Sequence, residues 1–278
     1  MKLSVILITK NEALNLPACL ESVAFADQIV VVDSLSTDNT AEIARAAGAQ
    51  VIQTADWPGF GPQKNRALAA AVGDWVLSID ADERITPALA AEIQTVLQAA
   101  HSADAYEIPR KSWYCGRFIA HAGWAPDYVT RLIRRGSATF SDDLVHERIL
   151  VKGTTGRLNT PMLHYSFRDF SQVLSKVDLY STLSARQRYA KGQRSSVGKA
   201  VLHGLAAFVR TYLFKRGFLD GGHGLALAIS NAEGSYYRYL KLWLMQQQQQ
   251  QQTANDSGSA GHLSSKSNPL TTPTDKAL

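Results

Sequence analysis

The stretch Ser78-Ile79-Asp80-Ala81-Asp82-Glu83 ends an apolar run in three carboxylates. Carboxylate oxygens are hard ligands, and two of them spaced Asp-x-Asp suit Mg²⁺ or Mn²⁺ bridging to a diphosphate. The same residues also suit a solvated acidic turn that only closes a strand. Position bears on the choice. Trp75-Val76-Leu77-Ser78-Ile79 has the composition of a buried strand, so the acids sit at its C-terminal tip. In open α/β sheets, ligands bind in the crevice outside such tips. Other polar groups follow the same rule: Thr9, Asn11 and Glu12 after the first strand, Asp33 at the end of the second, and Lys64-Asn65-Arg66 at a helix start. Parallel strands bring their tips to one edge, where these groups can converge on one ligand. Carboxylates accept from a base N–H or a ribose hydroxyl, Lys64 or Arg66 meets phosphate, and a metal at Asp80 and Asp82 neutralises a diphosphate leaving group. Singly, each has a plainer role: Asp33 as the cap of a turn, Lys64 and Arg66 as a solvated helix face.

The elements that must position these groups alternate. Residues 3–9 read as a strand, followed by a helix with Leu14, Leu16, Leu20 and Val23 inward and Asn11 as its cap. Gln28 to Asp33 is a second strand. A polar turn follows, with Thr37 or Asp38 capping a helix that runs through Ala47 and stops at Gly48. Ala49 to Gln53 is a third strand, and a Gly- and Pro-rich loop leads to a helix over 63–72. Asp74 to Ile79 is the fourth strand, and the next helix has Thr86 as cap and Pro87 at its first position. Four strand–helix alternations imply a parallel sheet with helices on both faces. From about residue 104 the texture becomes extended and aromatic: 104–114, 128–134 and 143–151 read as mixed or antiparallel additions to the sheet. Helical periodicity returns at 169, then a basic link spans 186–199. Residues 200–245 have the pattern of an interfacial helix pair or of a buried helical hairpin. Seven glutamines begin at Gln246 and lead into a polar tail that reads as disordered.

Composition narrows the function classes. The net charge of +5 over 278 residues hides an asymmetry: residues 1–109 carry −8 and residues 110–245 carry +13. A basic half suits an anionic partner such as a phospholipid surface, a phosphorylated acceptor or nucleic acid. Cys19 and Cys115 have neither metal-like spacing nor a disulfide framework, which fits a reducing compartment. No segment has the uninterrupted apolar length of a spanning helix, and the N-terminal run lacks the features of a secretory leader. The first strand–helix loop has Thr9-Lys10-Asn11-Glu12 where a dinucleotide fold needs glycines, and there is no Walker A sequence. Dehydrogenase and P-loop readings therefore drop out.

The runs SVILITKNE, VVDSLSTDNT, GFGPQKNRAL and DWVLSIDADE resemble the four successive motifs of family 2 glycosyltransferases. Residues 127–135 (DYVTRLIRR), 141–147 (SDDLVHE) and 218–221 (FLDG) are similar to the subgroup that adds β-linked glucose to the lipopolysaccharide inner core, the core β-1,4-glucosyltransferases. The resemblance covers roughly residues 2–245. It implies an α/β GT-A fold, a Rossmann-like mixed sheet flanked by helices, with a C-terminal helical extension. It further implies residues 1–165 as the catalytic domain, 1–103 binding nucleotide and 104–165 binding acceptor, with 166–245 associating with membrane ahead of the tail 246–278.

Under this resemblance Thr9, Asn11, Glu12, Asp33 and Lys64 line the nucleotide site, and Asp80 and Asp82 form the metal and donor-sugar motif for Mg²⁺ or Mn²⁺. Inversion needs one displacement and a base on the face opposite the departing diphosphate. Glu147, beside His146, is the expected base, with Asp142 or Asp143 as the reserve. Trp113, Trp124 and Tyr128 are expected to stack on acceptor sugars, and Arg131 to meet an acceptor phosphate. The implied partners are a UDP-sugar donor, a lipid-linked core oligosaccharide and the inner face of the cytoplasmic membrane, with the protein peripheral and cytoplasmic and no nucleic acid bound. Other readings are a family 2 transferase with a different nucleotide sugar or a lipid-phosphate acceptor, a dehalogenase-type phosphatase, which also uses Asp-x-Asp, and a non-enzymatic membrane adaptor.

Overall fold

A computed structural model describes residues 1–99, 103–142 and 148–263. The first half alternates as expected: β1 (Leu3–Thr9), α1 (Leu16–Ser22), β2 (Gln28–Asp33), α2 (Thr40–Ala46), β3 (Gln50–Gln53), α3 (Phe60–Ala69), β4 (Trp75–Ser78), β5 (Glu83–Arg84) and α4 (Pro87–Gln98). Then come β6 (Ala105–Tyr114), β7 (Arg117–Phe118), β8 (Asp127–Arg134), β9 (Ala138–Phe140), β10 (Ile149–Val151), β11 (Thr155–Arg157) and β12 (Met162–Phe167). The helices α5 (Phe170–Ala190), α6 (Val197–Val209) and α7 (Gly221–Leu263) complete the described chain.

The main sheet runs β3-β2-β1-β4-β8-β6-β12-β5, with β7 and β11 also paired to β6. The first four strands are parallel, and β8 and β6 add antiparallel. Alternation along β1 and its neighbours builds a core on each face. Leu3, Val5, Leu7, Val31 and Leu77 pack with α1 and α4 on one side. Ile6, Val30, Val32 and Val76 pack with Ala67 of α3 on the other. A strand apolar on both faces belongs at the centre of a covered parallel sheet, which is why the carboxylates appear only at its ends.

Several local expectations shift. Asn15, not Asn11, precedes α1, and Asn11 has φ 56°. Asn tolerates that conformation, and its side chain serves the neighbouring loop instead of the helix. α3 begins at Phe60 because proline fits the first turn of a helix, so Pro62 does not delay it. Thr86 does cap α4, its Oγ1 accepting from the Leu89 N–H at 3.2 Å. The segment 143–151 was expected in the main sheet. Its described part, β10, pairs instead with β9 in a separate two-stranded sheet, while residues 143–147 lie outside the described residues.

The chain forms two compact units. The first is Met1–Gln172 with Thr211–Leu227, and the second is Val173–Arg210 with Ala228–Leu278. Residues 211–227, expected within the extension, thus belong to the first unit. Asp220, buried there, accepts from the backbone N–H groups of Ala120 at 3.1 Å and His121 at 2.8 Å. In the second unit, Lys241 of α7 donates to the Asp178 carboxylate at 2.7 Å, and the His203 ring stacks on Tyr239 at 3.9 Å. α7 carries on through the glutamine run, where the sequence predicted disorder. Packing supplies what composition lacks: the Gln246 side chain donates to the Gln193 carbonyl at 2.9 Å and accepts from the Ser195 N–H at 3.3 Å.

Candidate active site

The parallel register sets Thr9 beside Asp33 and ends β4 within the same edge. Thr9 Oγ1 donates to Asp33 at 3.2 Å. Asp33 also accepts from the hydroxyl and the N–H of Ser36 and from Gln53 Nε2 at 3.2 Å. Burial pushes the Asp33 carboxyl up, but the Ser36, Gln53 and Thr9 donors outweigh it and hold the group below its usual range. Asn11 accepts from the Thr37 N–H at 2.8 Å, joining the first and second strand-end loops. Glu12 accepts from Asn15 Nδ2 at 2.8 Å, and its carboxyl is raised, first by burial and further by Asp82 and Asp38.

The two aspartates of the motif have different surroundings. Asp80 lies 3.1 Å from Lys64 Nζ and 2.5 Å from Arg131 Nη2. Burial opposes its ionisation, but Arg131 and Lys64 hold its carboxyl well below the usual range. The same Arg131 nitrogen donates to Glu83 at 2.6 Å, and Glu83 accepts from the Asp80 N–H at 2.9 Å. Glu83 is 0% exposed, and burial raises its carboxyl despite Arg131. Asp82 instead faces His164, Nε2 to Oδ2 being 3.4 Å. His164 arrives because β12 pairs antiparallel with β5, setting His164 opposite Glu83. Its Nδ1 lies 3.2 Å from Ser112 Oγ and 3.0 Å from Ser166 Oγ, which turns Nε2 toward Asp82.

A divalent cation fits this donor set. Asp80 has both carboxylate oxygens committed to cations, whereas Asp82 and His164 offer one carboxylate and one imidazole side by side, both partly exposed. Among the described residues no group of three or more metal-ligating side chains gathers, so a cation here would complete its shell with ligand or water oxygens.

α3 organises the rest. Lys64 reaches Asp80, while Asn65 both donates to the Phe140 carbonyl and accepts from the Phe140 N–H, each at 2.9 Å. A Cβ at Gly61 would stand 1.8 Å from the Ser141 carbonyl oxygen, so only glycine allows β9 to come this close. Ser141 and Arg148 are hydrogen-bonded at 2.8 and 3.0 Å, which fixes both flanks of residues 143–147 beside α3. Asp142 is exposed at this edge, and Asp143 and Glu147 lie outside the described residues.

A cavity of about 590 Å³ adjoins Asp80 and is lined by Lys64, Arg110, Tyr128, Arg131 and Arg148 among others. Tyr128 is one of the side chains lining this cavity. Trp113 packs against Phe118 and Tyr165, and Trp124 against Tyr114 and Phe167, so both belong to an aromatic layer along β6 and β12. Arg131 corrects the acceptor expectation: it is 7% exposed and its guanidinium is committed to Asp80 and Glu83, so its charge is directed into the motif. Sequence reasoning missed Glu83 and Asn65 as positioning groups, and His164 altogether. Glu83 adjoins the motif and Asn65 lies in GFGPQKNRAL, so both were in view; nothing local marks His164.

The profile of the family described as Glycosyl transferase family 2 matches residues 4–150. An uncharacterized glycosyltransferase of Rickettsia prowazekii is 31% identical over 254 residues, 87% of this chain and 86% of its own length. The lipopolysaccharide core biosynthesis glycosyltransferase LpsC of Rhizobium meliloti is 30% identical over 257 residues, 86% of this chain and 93% of its own. A crystal structure of S. aureus TarS, residues 1–349, is 18% identical, covering 89% of this chain and 92% of that one, with a TM-score of 0.46. With the family profile spanning the strand-end edge just described, the chain belongs to glycosyl transferase family 2 and is a glycosyltransferase of the GT-A fold.

Proposed function

We propose that this glycosyltransferase inverts, moving a hexose, glucose from UDP-glucose, onto a heptose of the lipopolysaccharide inner core to form a β-linkage. The observation that carries the reading is the division of labour in Asp80-Ala81-Asp82: Asp80 is held by the Lys64 and Arg131 cations, and Asp82 faces the His164 imidazole. The acceptor class rests on the likeness to LpsC.

Thr9, Asn11, Glu12 and Asp33 form the wall for the nucleotide, with Asp33 ionised and able to accept from a base or ribose donor. Asp82 and His164 are the residues that would hold Mg²⁺ or Mn²⁺, whose charge offsets that building on the diphosphate. In the transfer, an acceptor hydroxyl oxygen bonds to the sugar C1 as the C1–O bond to diphosphate breaks. The electron pair leaves with UDP, and the hydroxyl proton passes to Glu147, with Asp143 or Asp142 as the reserve base. Lys64 and Arg131 keep Asp80 ionised and in place, so the motif does not reorganise as charge moves.

Purified protein incubated with UDP-glucose, Mn²⁺ and core-truncated lipopolysaccharide should release UDP and yield a β-linked product by NMR. Absence of turnover with UDP-glucose on every truncated core would overturn the donor and acceptor assignment. A panel of other nucleotide sugars and lipid phosphates then tests the wider family reading.

A further inference from the structure

In the second unit, α6 buries its small residues and exposes its large ones. Ala200, Gly204 and Ala207 are its buried positions, and a Cβ at Gly204 would stand 3.2 Å from Tyr236 Cβ of α7. Val197, Val201, Leu202, Leu205 and Val209 are 43, 45, 66, 61 and 38% exposed. At 100° per residue these five fall within an arc of about 140°. Lys199 and His203 share a different arc of the same helix, and Arg210 caps its end. A helix of a globular domain puts its large apolar side chains inward, so this one has its apolar face turned out, beyond the scattered exposure that needs no explanation.

We infer that α6 lies in the plane of an anionic bilayer, with Leu202 and Leu205 in the acyl boundary and the flanking lysines and arginines at the headgroups. Charge selects this occupant. Residues 173–210 and 228–252 carry nine Lys and Arg against two acids, and Lys191 and Arg194 lie just before the helix. An apolar face rimmed by cations is the composition of an interfacial helix. A second copy would set the same net +7 against itself. The inference stands on α6 alone and holds for any donor or acceptor.

The full chain should co-sediment with phosphatidylglycerol–phosphatidylethanolamine vesicles and not with phosphatidylcholine vesicles. Leu202→Glu with Leu205→Glu should weaken that binding roughly tenfold or more, while Mn²⁺-dependent UDP binding by calorimetry stays unchanged. Independently, a Leu202→Trp variant should shift its emission to the blue on the anionic vesicles. The inference is overturned if the double variant binds vesicles as the parent does, or if the tryptophan emission does not move. It is equally overturned if the parent is a vesicle-independent dimer that the double variant dissociates. Loss of UDP binding in the parent would strike the proposed function and leave this inference standing.

Discussion

Arg131 holds one guanidinium nitrogen within 2.5 Å of Asp80 and 2.6 Å of Glu83, and it is this pairing that makes the buried Glu83 tolerable beside the half-buried Asp80. Removing one partner of a buried pair leaves an uncompensated charge, so Arg131→Met should cost about 3–5 kcal/mol through Glu83. That loss should shrink as pH falls and the acids take up protons; urea unfolding at several pH values checks it. Asp82 carries no such structural burden. Asp82→Asn should keep the melting temperature while lowering kcat by about 100-fold or more and abolishing Mn²⁺-enhanced UDP binding. Asp33 has a depressed folded pKa, so its contribution to stability is full above the ordinary value of 3.8 and is lost as pH falls through the lower folded value. The stability gap between the parent and Asp33→Asn should therefore be widest near neutrality and close in acid. At this scale the residue types were legible, because strand ends collect polar groups whatever the packing. The role of Arg131 was not, since an arginine on a strand reads the same whether it faces a ligand or a buried carboxylate.

α3 turns one short motif into three contacts, with Lys64 on Asp80, Asn65 on the Phe140 backbone and Gly61 against the Ser141 carbonyl. Gly61→Ala adds a Cβ that cannot be accommodated without moving β9. Overpacking of that kind costs about 1–3 kcal/mol. Activity should fall with it, because β9 leads into the segment that carries Asp142, Asp143 and Glu147; the test is kcat alongside the melting temperature. The sequence reads as a helix over 63–72 whereas α3 begins at Phe60, since a glycine- and proline-rich run reads as loop until a neighbouring backbone demands the close approach. β5 and β12 show the other limit. Two residues at Glu83–Arg84 make too short a strand to read from sequence, yet their pairing with β12 is what delivers His164 to Asp82.

For the whole molecule, the chain divides into two units, the first holding the Asp80-Ala81-Asp82 edge and the second most of the basic C-terminal helices. Ending the chain after Met245 removes the Gln246 bonds to Gln193 and Ser195, so it should lower the unfolding temperature of the second unit and leave UDP binding by the first unchanged. Scanning calorimetry with a UDP titration separates the two effects. Among the described residues no helix is long and apolar enough to cross a membrane, and the exposed apolar face of α6 lies in the second unit. The sequence by itself determined the alternating sheet, the polar edge where its tips meet and the family, because apolar periodicity and strand-end chemistry are local properties of the chain. Only the tertiary structure decided which aspartate is held by two cations and which faces a histidine some eighty residues away, and that α6 turns its large side chains outward. Those facts depend on strand pairing and helix packing between distant segments, and no local pattern encodes them.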